Sequence, residues 1–225
     1  MNVLMTIAAV GAMAIGEVEE GAVTVLLFSL GELLENYSLD RARNAVRGLW
    51  SGGFDYFAFY DQMMLSIERG FTQAWYEGAA MYGIKPGELT DIEHNALRSE
   101  IVQETNFIDA LAQAIIARNR LSGGKLEPLY ARTELWVSAY NRVMTLASTY
   151  AANDQKHRWN LGRSKEHCRD CSKYNGKVHR MSVWRKWGAV PRSYDLACHG
   201  YHCFCSLDPT DEPATPGRPP SPTGR

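Results

Sequence analysis

The first 167 of the 225 residues contain no cysteine, and the first 40 contain no lysine or arginine. Without a basic start or a small-residue cleavage site leading into a polar segment, a secretory signal is not expected. Thiols in such a chain are expected to be reduced or metal-bound rather than held in stable disulfides. No apolar run reaches the roughly 20 residues that span a bilayer. Two shorter uncharged runs stand at 3–16 and 22–31, separated by Glu17-Val18-Glu19-Glu20. They read as a helical hairpin, either buried as core or embedded in a membrane with helix ends that extend past the runs. The full G-x4-G-K-S/T pattern is absent, since Ser51-Gly52-Gly53 and Ser122-Gly123-Gly124-Lys125 are too short, so a P-loop is excluded. An H-E-x-x-H helix is also absent, which leaves catalytic zinc without support. No carboxylate pair or nucleophile–base arrangement stands out, and the chain is not expected to be an enzyme.

What is present is concentrated near the C-terminus. All five cysteines fall within 38 residues, as Cys168-x-x-Cys171, then Cys198-x4-Cys203-x-Cys205 after a 26-residue gap. Short-spaced pairs bring two thiolates onto one ion with little loop strain, and a structural zinc needs four soft ligands in a tetrahedron. The expected cofactor is therefore one structural zinc. Cys168 and Cys171 form the first pair, Cys203 is the third ligand, and Cys198 is preferred as the fourth, with Cys205, His199 and His202 as alternates. His167 and His179 read as loop residues rather than ligands.

Charge is also uneven. Residues 1–153 carry 11 Lys/Arg against 18 Asp/Glu, whereas residues 154–207 carry 11 against 4. A basic cysteine-bearing module on an acidic body suits contact with nucleic acid, with an acidic partner, or with its own acidic helices. Trp184-Arg185-Lys186-Trp187 interleaves rings and cations and is a candidate nucleic-acid contact. The alternative is that the rings cover a small metal core while the cationic stems reach outward.

Between these ends the pattern is helical. Phe57, Tyr60, Met64, Ile67, Phe71, Ala74 and Met81 make one stripe over 55–82. Thr90-Asp91-Ile92-Glu93 is a capping box that opens a second helix, whose stripe is Leu97, Ile101, Ile108, Leu111 and Ile115. A third runs from about Pro128 to Ala152 with Trp136, Tyr140, Val143, Ala147 and Tyr150 inward. Three such stripes predict an α-helical bundle. Asn175-Gly176 predicts a tight turn between strands. The stretch 208–225 holds six prolines and is expected to be a disordered tail. The fold class is thus mainly α. It comprises a hairpin over 1–49, a bundle over 50–153, a small β-poor zinc-knuckle module over 154–207, and the tail.

Two resemblances follow from particular strings. Residues 2–49, NVLMTIAAVGAMAIGEVEEGAVTVLLFSLGELLENYSLDRARNAVRGL, resemble the transmembrane hairpin that precedes the actuator domain in heavy-metal-translocating P-type ATPases. These 225 residues hold neither the Asp-Lys-Thr-Gly-Thr phosphorylation loop nor the Cys-Pro-Cys membrane site of that family, so pumping is not expected of them. Residues 51–213 resemble the phage head-morphogenesis family of Mu-type minor head proteins. The matching strings are Trp159-x-Leu161-Gly162, Cys168-Arg169-Asp170-Cys171, Tyr174-Asn175-Gly176-Lys177-Val178 and Cys203-Phe204-Cys205-Ser206-Leu207-Asp208-Pro209. That family closes on His-x-x-Cys-x-Cys, but Gly200 stands here where its histidine would be, with His199 and His202 on either side. The resemblance implies a minor virion component near the portal, with portal or other head proteins as partners, DNA as a further one, and a location in the virion or host cytoplasm. The alternatives are a membrane-anchored zinc-binding protein or a pump fragment fused to a phage-like domain, with residues 3–31 in the membrane, and a zinc-ribbon nucleic-acid-binding protein.

Overall fold

A computed structural model describes residues 40–133, 135–201 and 203–224. The hairpin expected at 3–31 lies outside these residues. Among the described residues no helix is long and apolar enough to cross a membrane.

Helix α1, Tyr56–Ala80, starts where the Asp55 carboxylate accepts the Ala58 N–H at 2.8 Å. Its buried face is Phe59, Met63, Ile67, Phe71, Ala74 and Trp75, with Ser66, Gly70 and Gly78 beside them. The expected stripe was therefore partly misplaced: Phe57 and Met81 are 75% and 68% exposed. The small residues decide the facing side. A Cβ on Gly78 would lie 2.1 Å from the Met144 carbonyl oxygen, so helix α4 (Leu135–Ala151) approaches α1 across that glycine. Helix α2, Asp91–Ala117, opens on the expected capping box, with Glu93 Oε2 2.8 Å from the Thr90 N–H. It buries Leu97, Ile108, Leu111 and Ile115 as expected. Helix α3, Glu127–Thr133, and α4 flank Glu134 and cover the region of the expected third helix.

Residues 40–51 are helical as well, and Ala42, Ala45, Val46 and Leu49 share one core with Phe59, Met63, Ile108 and Val143. Arg41 Nε donates to Gln62 Oε1 at 2.9 Å and the Arg120 N–H donates to Trp50 O at 3.0 Å. The bundle thus extends beyond three helices, and the expected boundary at residue 49 falls inside its core.

The module holds a three-stranded antiparallel sheet in the order β2-β1-β3, from β1 Lys156–Asn160, β2 Val178–Arg180 and β3 Ser206–Pro209. Helices α5 (Arg169–Tyr174) and α6 (Met181–Lys186) pack Tyr174 and Trp184 against Trp159, with ring centroids 4.8 Å and 5.6 Å from it. Tilted ring pairs of this kind add about 0.5–1.5 kcal/mol each beyond the area they bury. Asn175-Gly176 does not form a simple hairpin turn. It ends α5, with Gly176 at φ +75° and its N–H on Trp159 O at 2.9 Å.

The proline-rich segment is not a disordered tail. Thr215 exchanges bonds with Val178: its N–H donates to Val178 O at 2.7 Å and its hydroxyl oxygen accepts the Val178 N–H at 2.9 Å. Tyr174 OH donates to Pro220 O, Lys156 Nζ to the carbonyls of Asp211 and Glu212, and Gly224 N–H to Asp195 O. Proline removes donors but leaves carbonyls able to accept, and the interspersed Thr and Gly residues supply the donors. The module accordingly continues past residue 207.

Polar links join module to bundle. Arg142, 6% exposed, pairs with Glu100 and Glu104 at 3.1 Å each, and its guanidinium lies 3.8 Å from the Tyr194 ring centre. Tyr194 OH donates to the same Glu104 at 3.0 Å. In another link, fully buried His157 donates from Nδ1 to Gln155 O and accepts Tyr82 OH at Nε2, 3.1 Å away.

Replacing Gly78 with Ala is expected to lower stability by about 1–3 kcal/mol through overpacking at the α1–α4 crossing, read by urea denaturation. Burial holds the His157 imidazole below its ordinary 6.5, opposed by the Gln155 carbonyl and by Asp208. A depressed folded value means stability present above pH 6.5 and lost as pH falls through that folded value. Urea midpoints between pH 7.5 and 5 should therefore drop, and less steeply in His157→Gln.

Candidate metal centre

The Cys168-x-x-Cys171 turn is the start of α5. Cys168 Sγ serves as its N-cap, 3.4 Å from the Cys171 N–H, which places two sulfurs at one helix end. A tight loop brings up the other three. Arg192 and His199 take left-handed backbone at φ +66° and +49°, and Gly200 at +79°. A Cβ on Gly200 would lie 2.1 Å from Arg192 O, so no side chain fits where the resembled family carries histidine. At the other edge a Cβ on Gly162 would lie 1.9 Å from Phe204 O, which explains the glycine of the Trp-x-Leu-Gly string: the strand end touches the knuckle backbone.

All five cysteines are free thiols and they converge. Cys168, Cys171 and Cys198 form one group with sulfurs within 4.8 Å of one another, and Cys171, Cys203 and Cys205 form a second that shares Cys171. The Cys171 and Cys203 sulfurs are 3.9 Å apart. A disulfide needs about 2.05 Å, whereas two ligands of a tetrahedral zinc with bonds of about 2.3 Å lie about 3.8 Å apart. Spacing, burial and soft donors fit a metal ion, zinc among them. Five sulfurs exceed the four of a tetrahedral site, so one stands by.

The sulfurs shift one another's titration in opposite directions. Bonds with the sulfurs of Cys171, Cys198 and Cys205 hold Cys203 well below the ordinary thiol range. Cys171 is correspondingly pushed up by its bonds to Cys198, Cys203 and Cys205 and by burial. At Cys168 burial raises the thiol, but the N–H and thiol of Cys171, with Cys198, outweigh it and bring it down. Burial lowers Arg192 while the charges of Cys203 and Cys205 oppose this, and its Nε donates to Cys203 O at 3.1 Å. A guanidinium thus stands beside the sulfurs.

Among the other expected site residues, His199 is exposed, donates from Nδ1 to Tyr194 O at 3.0 Å and belongs to neither thiol group. His202 lies outside the described residues. His179, expected in a loop, is instead a buried residue of β2, edge-on to Trp184. The candidate nucleic-acid contact divides. Trp184 is fully buried and bonds His157 O through Nε1, so it cannot stack on a base. Arg185 lies over the Tyr150 ring at 4.3 Å and Arg218 over Trp187 at 4.7 Å, leaving Lys186 exposed. Trp184 turns inward because the small core of this part of the chain, built on Trp159, Tyr174 and Met181, has few aliphatic residues to fill it.

Sequence reasoning passed over Asp170. Its side chain is fully buried between the two cysteines of the first pair, and it accepts from the N–H groups of Ala197 at 2.8 Å and Thr223 at 2.9 Å. Burial raises its carboxyl, but the Thr223 and Ala197 bonds prevail and bring it below the usual range. Nothing in the local sequence separates it from Arg169, which lies in the same turn and is exposed.

Comparison with known proteins finds similarity in the N-terminal region. The chain is 53% identical over 49 residues to a probable cadmium-transporting ATPase of Listeria monocytogenes, covering 22% of this chain and 7% of that protein. A probable cadmium-transporting ATPase of Staphylococcus aureus is 49% identical over 49 residues, 22% of this chain and 6% of its own length. The probable cation-transporting ATPase G of Mycobacterium tuberculosis is 49% identical over 51 residues, 23% and 7% respectively. The chain thus spans under a tenth of the length of these relatives. No protein-family profile and no solved structure matches. A segment of this chain is similar to P-type ATPases that transport cations.

Proposed function

We propose that this chain is a non-catalytic assembly protein of the phage minor head kind, whose basic module is held closed by one structural zinc and docks on a helical bundle. The supporting observation is the buried group of five thiols, on which a helix end, a tight loop and a strand edge converge. Cys168, Cys171, Cys198 and Cys203 are the proposed ligands. Cys203, whose sulfur lies 3.9 Å from that of Cys171, is taken as the fourth ligand and Cys205 as the reserve, both belonging to the group without Cys168 and Cys198. Four thiolates around a zinc leave no open position for water, as suits a structural site rather than a catalytic one. The strings that suggested the phage family have architectural tasks here: Trp159 in the core, Gly162 against Phe204, Gly176 at a turn, Asp170 beneath the sulfurs. Portal or other head proteins are the proposed partners, in the virion or the host cytoplasm.

The matches to cation-transporting ATPases favour a second reading, in which the N-terminal segment anchors the zinc-bearing part to a membrane. Detergent dependence of the full chain, lost on deleting residues 1–39, would favour it. Co-sedimentation with purified phage heads would favour the first reading, and absence from such heads would sink it.

Elemental analysis of protein purified under reducing conditions should give about one zinc per chain. Cys171→Ser should lose that metal and the near-ultraviolet signal of the Trp159–Trp184 core, leaving the bundle helical, because metal binding and module folding are one event. Cys205→Ser should keep the metal; loss of zinc in it would move the ligand set onto Cys205.

A further inference from the structure

We infer that Thr223 and Gly224, at the end of the proline-rich segment, are part of the metal centre, latched beneath its sulfurs by Asp170. This rests on the metal reading above. Asp170 is the residue before Cys171, and its side chain is fully buried. Its Oδ2 accepts the Ala197 N–H at 2.8 Å, and Ala197 is the residue before Cys198. One carboxylate therefore ties the first cysteine pair to the loop that delivers the second group. Lys173 Nζ lies 3.9 Å from Oδ1, and the remaining hydrogen bonds to the carboxylate come from a residue 53 positions away. Thr223 donates its N–H to Oδ2 at 2.9 Å and its hydroxyl to Oδ1 at 2.8 Å. The same hydroxyl accepts Arg169 Nε at 2.7 Å, so it links both residues between Cys168 and Cys171. Next to it, Gly224 donates to Asp195 O at 2.9 Å, and a Cβ there would lie 2.2 Å from Leu196 O. The terminal residues thus press against Asp195-Leu196, two residues before Cys198, at a distance no side chain tolerates.

A buried carboxylate that loses a donor bears the desolvation of its unpaired oxygen, and it shifts to recover a partner. Here the shift would move Cys171 and the Ala197–Cys198 backbone together. Asp170 is a positioning residue acting through the cysteines, and the C-terminal segment completes its hydrogen bonding. Partners that orient ligands without touching the ion typically change affinity by about 10–100-fold when removed. The dependence runs both ways: when the sulfurs separate, Asp170 and the Asp195 carbonyl no longer present one surface, and the latch opens.

The test uses the full chain, zinc-loaded under reducing conditions, with zinc retention measured by competition against a chromophoric chelator. Thr223→Val keeps the shape and removes the hydroxyl; Gly224→Ala adds the forbidden Cβ; Thr223→Ser restores the hydroxyl. Valine and alanine variants should hold zinc about 10–100-fold more weakly, and the serine variant as the wild type does. In hydrogen exchange, the Thr223 and Gly224 amides should be protected with zinc and exchange freely after chelation. One zinc per wild-type chain, with unchanged retention in both Thr223→Val and Gly224→Ala, overturns the latch alone. A wild-type chain that binds no zinc overturns the reading of the site, and the latch with it.

Discussion

Five sulfurs have to meet in a module whose remaining core is three large rings and a handful of smaller apolar side chains, and most local features of that module are consequences. The first pair meets because a helix begins between them; the others arrive because Arg192, His199 and Gly200 accept left-handed backbone. Strain in a loop persists only where the surroundings over-determine it, and here the sulfur cluster, the Arg192–Cys203 bond and the Asp170 carboxylate do so together. Thiolates bound to a metal would supply the cross-link that a core of this size lacks.

Module and bundle are joined by polar contacts as well as by the packing of Tyr82 and Ala152 on the Trp159 core. Arg142 with Glu100, Glu104 and Tyr194 is a buried arrangement of two carboxylates, one guanidinium and a ring. Such groups add little net stability compared with apolar residues, but removing one member is costly, so they fix one orientation against alternatives. His157 and Tyr82 make a second, uncharged link. On the bundle side, the helical residues 40–51 bury Ala42, Ala45, Val46 and Leu49 among residues of α1, α2 and α4. Residues 40–51 are thus packed into one core with the helices that follow.

Much of this was legible in the residues. The capping box at Thr90 and Glu93 needs only residues three apart, and it formed as its spacing requires. The inward stripe of α2 was likewise readable, since bulky apolar residues and the contact face coincide there. On α1 they do not: Gly78, Gly70 and Ser66 lie on the buried face, and bulk alone placed Phe57 and Met81 inside when they are exposed. Close approach of two helices selects the absence of a side chain, which a search for large residues passes over.

The sequence by itself determined the chemistry of the candidate site, because cysteine spacing and soft donors depend on local chain geometry, and it determined the mainly helical class through periodicity. Only the tertiary structure decided which groups share Cys171, why Gly200 has no room for histidine, why Trp184 is core, and why a proline-rich end is ordered. The last two depend on atoms distant in sequence, His157 O for the Trp184 indole and Asp170 for Thr223, and Gly200 on the closing of its own loop onto Arg192 O. Hydrogen-bond partners and close backbone approaches are fixed by folding across tens of residues, and composition carries no record of them.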